Sequence, residues 1–103
     1  MIVVNRFRVP EQESVAFEDQ VAELVGLLQA KAGAQAIELV RNVDEPDLWA
    51  LVSHWADVGS YRRGIGGFET KVAWMAVMPR MVDEPSAYVE PAEIGSNLPR
   101  EMY

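Results

Sequence analysis

The stretch that decides the fold is AQAIELVRNVDEPDLWALVSHWAD, residues 34–57. Two largely apolar segments flank the turn-forming NVDEPD, and this pattern predicts two strands joined as a hairpin. Side chains alternate between the two faces of a strand. In the second strand, one face groups Trp49, Leu51, Ser53 and Trp55, and the other groups Ala50, Val52 and His54. The chain's only histidine, His54, and its neighbour Trp55 are therefore predicted to point to opposite faces.

Upstream, the segment IVVNRFRVP at residues 2–10 predicts a first strand that stops at Pro10. Alternation places Asn5 on the same face as Val3, Phe7 and Val9. Asn5 is thus the polar exception on an otherwise apolar face, which makes it a candidate for chemistry.

The segment EQESVAFEDQVAELVGLLQAKAG, residues 11–33, predicts a helix between the first two strands. Ser14 is a predicted N-cap, and Gly33 suits the exit of the chain from the helix. The apolar residues recur at helical spacing, in a stripe of Phe17, Val21, Leu24 and Leu28.

Downstream of the hairpin, Asp57 is predicted to cap a short helix through Tyr61 and Arg62, which GIGG at residues 64–67 interrupts. A second helical piece follows in FETKVAWMAVMPRM, residues 68–81, and AYVEP at residues 87–91 predicts a short fourth strand. The predicted apolar stripe of the second helix consists of Phe68, Val72, Met75 and Met78, with Trp74 to one side.

The resulting order, β-α-β-β-α-β, predicts a ferredoxin-like α+β fold in which two helices cover one face of an antiparallel four-stranded sheet. The other face carries Ile2 and Val4, and the chain has no third long helix to cover them. Sheet-to-sheet packing of two copies would cover this face, so the sequence predicts a homodimer. Residues 1–91 form the predicted domain, and residues 92–103 form a tail that is either disordered or packed on the partner subunit.

Composition narrows the classes of function. The chain has 103 residues, a formal net charge of −7 and a pI of about 4.6, so nucleic acid is not an expected ligand. It has no cysteine and one histidine, which excludes thiol chemistry and a multi-histidine metal site within one chain. The run MIVV is too short for a signal segment or a membrane span. The expected protein is soluble and cytoplasmic.

Three segments in register carry a family resemblance: NRFRVP in the first strand, AGAQAIELVRNV before and within the second, and LVSHWAD in the third. In their order and spacing, the chain resembles the antibiotic biosynthesis monooxygenase family of dimeric α+β barrels. Over about Ile2 to Asp57, it is most similar to the small heme-degrading branch. Asn5 matches the strand-one asparagine of that branch, whereas Gly64 and Ala73 stand where the branch carries its tryptophan and its heme-ligand histidine.

The resemblance implies oxidation of an aromatic substrate by O2, often with no metal or flavin, in a pocket between the helices and the sheet of each subunit. The first hypothesis is therefore a cofactor-independent monooxygenase that oxidises a planar phenol or quinol. The predicted catalytic residues are Asn5, which polarises oxygen or a substrate oxyanion, Trp74, which stacks on the substrate, and His54, a candidate general base.

The predicted substrate-binding residues are aromatic, polar or flexible side chains of the first strand and of the two helical pieces. They are Phe7, Tyr61, Arg62, Phe68 and Met75. Two alternatives stay open: a dimeric protein that binds a small ligand without chemistry, and a heme-binding protein with His54 as the ligand. For each of these side chains, the alternative interpretation is an ordinary role in the core or on the surface.

Overall fold

The computed structural model describes residues 1–94, and residues 95–103, most of the predicted tail, lie outside the described residues. The elements, in chain order, are β1 Ile2–Arg8, α1 Ser14–Gln29, β2 Ala34–Arg41, β3 Leu48–Trp55, α2 Val58–Gly64, α3 Phe68–Val77 and β4 Ala87–Tyr88. Short 3-10 turns span Glu11–Glu13, Met78–Arg80 and Pro91–Glu93. The predicted α+β ferredoxin-like order is confirmed, with the region before α3 forming the separate short helix α2.

The four strands form one antiparallel sheet in the order β2-β3-β1-β4. The predicted hairpin of β2 and β3 is confirmed, and β3 starts and ends where the sequence places it. Across β1 and β3, Asn5 lies opposite Leu51, and Phe7 lies opposite Trp49. This register gathers the polar exception of β1 and the aromatic residues of β3 on one face of the sheet.

That face packs on α1 and α3, and the interior between the sheet and these two helices is called the helix–sheet layer below. The predicted stripe of α1 is confirmed, because its four buried residues are Phe17, Val21, Leu24 and Leu28. The predicted alternation of β3 is also confirmed. Trp55 is buried in the layer, whereas His54 is half-buried on the opposite face.

The start of α2 agrees with the prediction from the sequence, whereas the start of α1 does not. Asp57 caps α2 as predicted: its carboxylate accepts from the backbone N–H of Ser60, and the hydroxyl of Ser60 completes a capping box. Ser14, however, is the first residue of α1, and its N-cap Glu13 makes no side-chain cap bond. The Ser14 hydroxyl instead donates to the carbonyl of Glu11 at 2.8 Å. The predicted Ser14 cap is wrong because a 3-10 turn extends the helix start upstream.

The predicted apolar stripe of α3 is also wrong. Phe68 and Met75 point outward with 82% and 68% of their surface exposed, and Val72 and Met78 are exposed as well. The buried residues of the helix are Thr70, Ala73 and Val77. Both stripes have helical spacing, so periodicity could not separate them. The small side chains of Thr70 and Ala73 let α3 approach α1 closely, and the bulky ones remain outside.

Two glycines allow α2 to sit close to the sheet. Gly33 has a φ of 89°, and a Cβ added there would lie 2.4 Å from the Cβ of Ser60. A Cβ on Gly64 would lie 2.7 Å from the ring of Trp55. The backbone therefore approaches its neighbours at both ends of α2 more closely than any residue with a side chain permits.

The second face of the sheet is uncovered within residues 1–94. Cross-strand neighbours on it include Ile2 with His54 and with Tyr88, and Val4 with Val52. Arg6 and Glu84 form an ion pair on the same face, with Arg6 Nε 2.6 Å from Glu84 Oε2. The predicted uncovered apolar face is therefore present, and the homodimer that would cover it stays a prediction. No helix within residues 1–94 has both the length and the apolar character needed to cross a bilayer.

Candidate functional site

Asn5 is the centre of the candidate site. It is buried in the middle of β1, where Leu51 lies directly opposite and Trp49 and Ser53 lie on the diagonals of β3. Its amide nitrogen donates to the sulfur of Met81 at 3.8 Å, and this is its only side-chain hydrogen bond among the described residues. A thioether is a weak acceptor. The amide N–H groups of Asn5 are therefore available to a stronger acceptor such as an oxyanion.

An aromatic cluster lies at one side of Asn5. The ring centroids of Phe7 and Phe17 are 5.1 Å apart, and the edge-on rings of Phe17 and Trp49 are 5.5 Å apart. The guanidinium of Arg41 lies 4.5 Å from the centroid of the Trp49 ring. These rings, contributed by β1, α1 and β3, are tilted or edge-on to one another and form a buried, apolar aromatic wall beside Asn5.

A second aromatic pair lies toward the other end of β3. The rings of Trp55 and Tyr61 meet edge-on at 5.7 Å, and Trp55 Nε1 donates to the hydroxyl of Ser53 at 3.0 Å. Burial raises the pKa of the Tyr61 phenol above its ordinary value. A phenol is neutral at physiological pH, and burial moves Tyr61 still further from ionisation, so it is suited to donating a hydrogen bond rather than to accepting a proton.

Two surface concavities adjoin the layer at the far end of α3. One, of about 440 Å³, is partly lined by Met81, and the other, of about 220 Å³, is partly lined by Phe17. Pro79 and Arg80 line both, and Arg80 pairs with Glu13 at the start of α1. Met81 contacts Asn5, and Phe17 contacts Trp49. The two concavities therefore reach the outer walls of the candidate site, although Asn5 itself lines neither of them.

No local sequence signal marks this opening. Glu13 and Arg80 are 67 positions apart in the chain, and neither belongs to a motif. Only the packing of α1 against the end of α3 brings the two side chains together. Their opposite charges are the only hint in the sequence, and oppositely charged surface residues are too common to identify a site.

The predicted site residues fall into two groups. Phe7 is buried beside Asn5 in the layer, and Trp74 and Tyr61 are half-buried and packed against the core. The remaining predicted binding residues, Arg62, Phe68 and Met75, are exposed. The structure thus brings Asn5 together with Phe7 but leaves the exposed residues outside the layer.

His54 lies on the opposite face of the sheet from Asn5, between Ile2 of β1 and Ala36 of β2. Its imidazole makes no hydrogen bond or ion pair with any residue in the described range 1–94. A single ligand in the helix–sheet layer cannot contact both side chains, because the sheet separates them. Asn5 and His54 therefore do not form a common catalytic site within one chain.

Heme does not fit the layer at the positions that the resemblance suggests. Ala73 lies on the buried side of α3 and carries no ligating atom. The space beside Gly64 is filled by the ring of Trp55. Within residues 1–94, no cluster of three or more histidine and carboxylate residues is arranged to hold a metal ion.

The antiparallel sheet, the two covering helices and the buried amide among aromatic rings define a ferredoxin-like α+β protein with a candidate site in the helix–sheet layer. A sequence profile described as antibiotic biosynthesis monooxygenase matches residues 1–63. This match spans more than half of the chain, and the chain belongs to that family.

Solved structures share the fold. SnoaB, a cofactor-independent oxygenase from Streptomyces nogalater, is 20% identical, with a TM-score of 0.74 over 86% of this chain and 91% of that one. A conserved protein from Methanosarcina mazei is 16% identical, with a TM-score of 0.72 over 84% of each chain. A protein from Shewanella oneidensis is 23% identical, with a TM-score of 0.67 over 81% of each chain. No curated protein matches this chain significantly.

Proposed function

We propose that this protein is a cofactor-independent monooxygenase that oxidises a planar phenol or quinol with O2 in the helix–sheet layer. The observation that carries the proposal is Asn5, a buried amide whose only partner among the described residues is the sulfur of Met81. Membership of the monooxygenase family and the fold shared with a cofactor-independent oxygenase support it.

In this proposal the substrate supplies the electrons. For an anthrone-type substrate, the O–O bond breaks and one oxygen atom forms a carbonyl at the former methylene carbon. The other oxygen leaves as water with the two methylene hydrogens. All four electrons come from the substrate, so no external reductant is required.

In this proposal the side chains of the protein bind the substrate and polarise its oxygen. The buried polar residues described are Asn5, Ser53, Ser60 and Thr70, and none of them is charged. In such an apolar layer, an amide N–H aimed at a substrate oxyanion stabilises it more than the same group does in water. Asn5 therefore favours the ionised substrate, which is the form that transfers electrons to O2. Tyr61, a neutral phenol whose pKa burial raises further, donates to a second polar end of the ligand.

Access to the layer is proposed at the end of α3, where the two concavities meet at Arg80. Breaking the ion pair of Arg80 with Glu13 and rotating the flexible side chain of Met81 would connect the larger concavity with Asn5. Methionine suits this position because its unbranched side chain repacks at low cost. The cation of Arg80 also gives this opening a site that attracts an anionic ligand.

The test is oxygen uptake with a panel of anthrones and dihydroxynaphthalenes. Asn5→Leu keeps the approximate shape of the side chain and removes both amide groups, and we expect kcat to fall roughly 10²-fold. The matched control is Gln35→Leu, which removes an exposed amide from β2 and should leave oxygen uptake unchanged. A folded Asn5→Leu variant with full activity would contradict the proposal, and a wild type that binds panel compounds without consuming oxygen would favour the ligand-binding alternative.

A further inference from the structure

The start of α3 gathers hydrogen-bond donors. Gly67 is the N-cap of this ten-residue helix and, having no side chain, makes no cap bond. The backbone N–H groups of a first helical turn have no acceptor within the helix, and the dipole gives that end a partial positive charge. This end of α3 therefore favours a negatively charged group.

Lys31 places a cation at the same end of the helix. Its side chain is half-buried, and its Nζ lies 3.3 Å from the position that a Cβ on Gly67 would occupy. Within residues 1–94 this ammonium has no ion pair, whereas four arginines in that range pair with carboxylates. Glu69, the acidic residue of the first turn, is exposed and makes no ion pair with Lys31. A cation at the positive end of a helix is repelled by the dipole, so an anion held between them would stabilise this arrangement.

Thr70 provides a second, independent observation. Its hydroxyl is fully buried and has no hydrogen-bond partner within residues 1–94. Buried polar groups are nearly always hydrogen-bonded in folded proteins. Thr70 Oγ1 lies 3.8 Å from the same Cβ position of Gly67 that Lys31 Nζ approaches. The hydroxyl and the ammonium therefore face one side of Gly67, where the glycine leaves the space that a side chain would fill.

We propose that Lys31, Thr70 and the first-turn N–H groups of α3 form a binding site for a phosphate group, either free phosphate or the terminal phosphate of a small molecule. Helix N-termini bind such anions because their N–H groups point at the ligand. A tetrahedral anion has oxygen atoms for donors that arrive from several directions, whereas a carboxylate has two. The flexible end of Lys31 moves to admit the anion, which then reaches the hydroxyl.

This site is separate from the candidate oxidation site. It lies at the start of α3, whereas the two concavities proposed as the access route lie at the end of that helix, beside Arg80. The inference therefore does not depend on the proposed function, and either can fail without the other.

The first test is binding of inorganic phosphate to the wild type by isothermal titration calorimetry at pH 7. We expect binding, and a melting temperature that is higher in phosphate than in acetate or chloride of the same ionic strength, because a ligand of the folded state stabilises it. Phenyl phosphate is the second probe, and the tighter of the two identifies the source of the phosphate group. The absence of binding by both probes, or equal stabilisation by phosphate and acetate, would overturn the inference.

The charge is tested with Lys31→Gln and its matched control Lys71→Gln, which removes an exposed lysine from the same helix. We expect the Kd for phosphate to rise roughly 10- to 100-fold in Lys31→Gln, the size of a lost hydrogen bond to a charged group. Lys71→Gln should change it by less than about twofold, because an exposed charge is screened by salt. Equal weakening in both variants would show that only the general charge of the surface matters.

Thr70→Val and Gly67→Ala test the geometry. Thr70→Val removes the hydroxyl at nearly the same volume, and we expect the Kd for phosphate to rise roughly tenfold. Gly67→Ala keeps every donor and places a methyl group between the ammonium and the hydroxyl, so it should also weaken binding. Gly67→Ala gives the answer even if Thr70→Val does not fold. Wild-type affinity in Gly67→Ala, or in a folded Thr70→Val, would overturn the proposed site.

Discussion

At the scale of single residues, close approaches of the backbone set the position of α2. Gly33 has a φ of 89°, and its Hα atoms face the side chain of Ser60. That serine also completes the capping box of Asp57. A side chain at position 33 would therefore disturb both the turn into β2 and the start of α2.

Substitution of glycine by alanine at two positions should have opposite effects. Gly33→Ala combines an unfavourable φ with a Cβ placed 2.4 Å from that of Ser60, so we expect a loss of roughly 2 kcal/mol or more in the free energy of unfolding. Gly26→Ala lies within α1 with no atom within 4 Å of the added Cβ. It should stabilise by roughly 0.5–1 kcal/mol. Urea unfolding of both variants measures the contrast, and equal effects would contradict it.

The sequence could predict three features: the face on which Asn5 lies, the shared face of Trp49 and Trp55 in β3, and the cap at Asp57. Each depends on a local rule: alternation along a strand or the preference of a helix N-terminus for a carboxylate. Within the described part of the chain, Trp49 Nε1 and Thr70 Oγ1 are buried without a hydrogen-bond partner. This could not be predicted, because whether a buried group has a partner depends on residues from other elements.

At the scale of elements, the two main helices show where periodicity succeeds and where it does not. In α1 there is one apolar stripe, and it is buried. In α3 two stripes compete: the bulkier one, with Phe68 and Met75, is exposed, and the one with Thr70 and Ala73 is buried. Hydropathy favours the bulkier stripe, whereas the close packing of α3 against α1 selects the smaller side chains.

The cap of α2 makes a prediction about pH. Hydrogen bonds from the backbone and hydroxyl of Ser60 lower the pKa of the Asp57 carboxyl below its ordinary 3.8. The folded state therefore binds the Asp57 proton less readily than the unfolded state does. The stabilisation is complete above pH 3.8 and is lost as the pH falls through the lowered pKa.

We therefore expect the melting temperature of the wild type to exceed that of Asp57→Ala at pH 7 and the difference to shrink below about pH 3.8. Asp57→Asn, which can still accept the backbone bond, should show a smaller deficit at pH 7. Thermal melts followed by circular dichroism between pH 7 and 3 measure this. A deficit of Asp57→Ala that does not depend on pH would show that the ionised cap is not its cause.

At the scale of the whole molecule, the sheet has one face in the helix–sheet layer and one face that nothing within residues 1–94 covers. The uncovered face presents Ile2, Val4, Val52 and Tyr88, bordered by the ion pair of Arg6 with Glu84. A contiguous apolar area of this kind is typical of an interface, and two copies packed face to face would bury it.

A pair of valine-to-glutamate variants tests the proposed homodimer. Val52 lies at the centre of the uncovered face, in β3, and Val15 lies on the exposed side of α1 with 74% of its surface accessible. We expect the wild type and Val15→Glu to have the mass of a dimer and Val52→Glu to have the mass of a monomer, because the dimer would bury the introduced charges. Size-exclusion chromatography with light scattering measures this, and a monomeric wild type would contradict the dimer.

The sequence by itself determined the order of the elements, the hairpin of β2 and β3, the buried stripe of α1 and the placement of Asn5 in the layer. These features follow from alternation, helical spacing and capping, which act over a few residues. Only the tertiary structure decided which side of α3 is buried and that Arg80 meets Glu13 beside the candidate site. It also decided that Trp49 Nε1 and Thr70 Oγ1 have no hydrogen-bond partner within residues 1–94. Those features depend on contacts between elements far apart in the chain, where size and shape, rather than local pattern, select the neighbours.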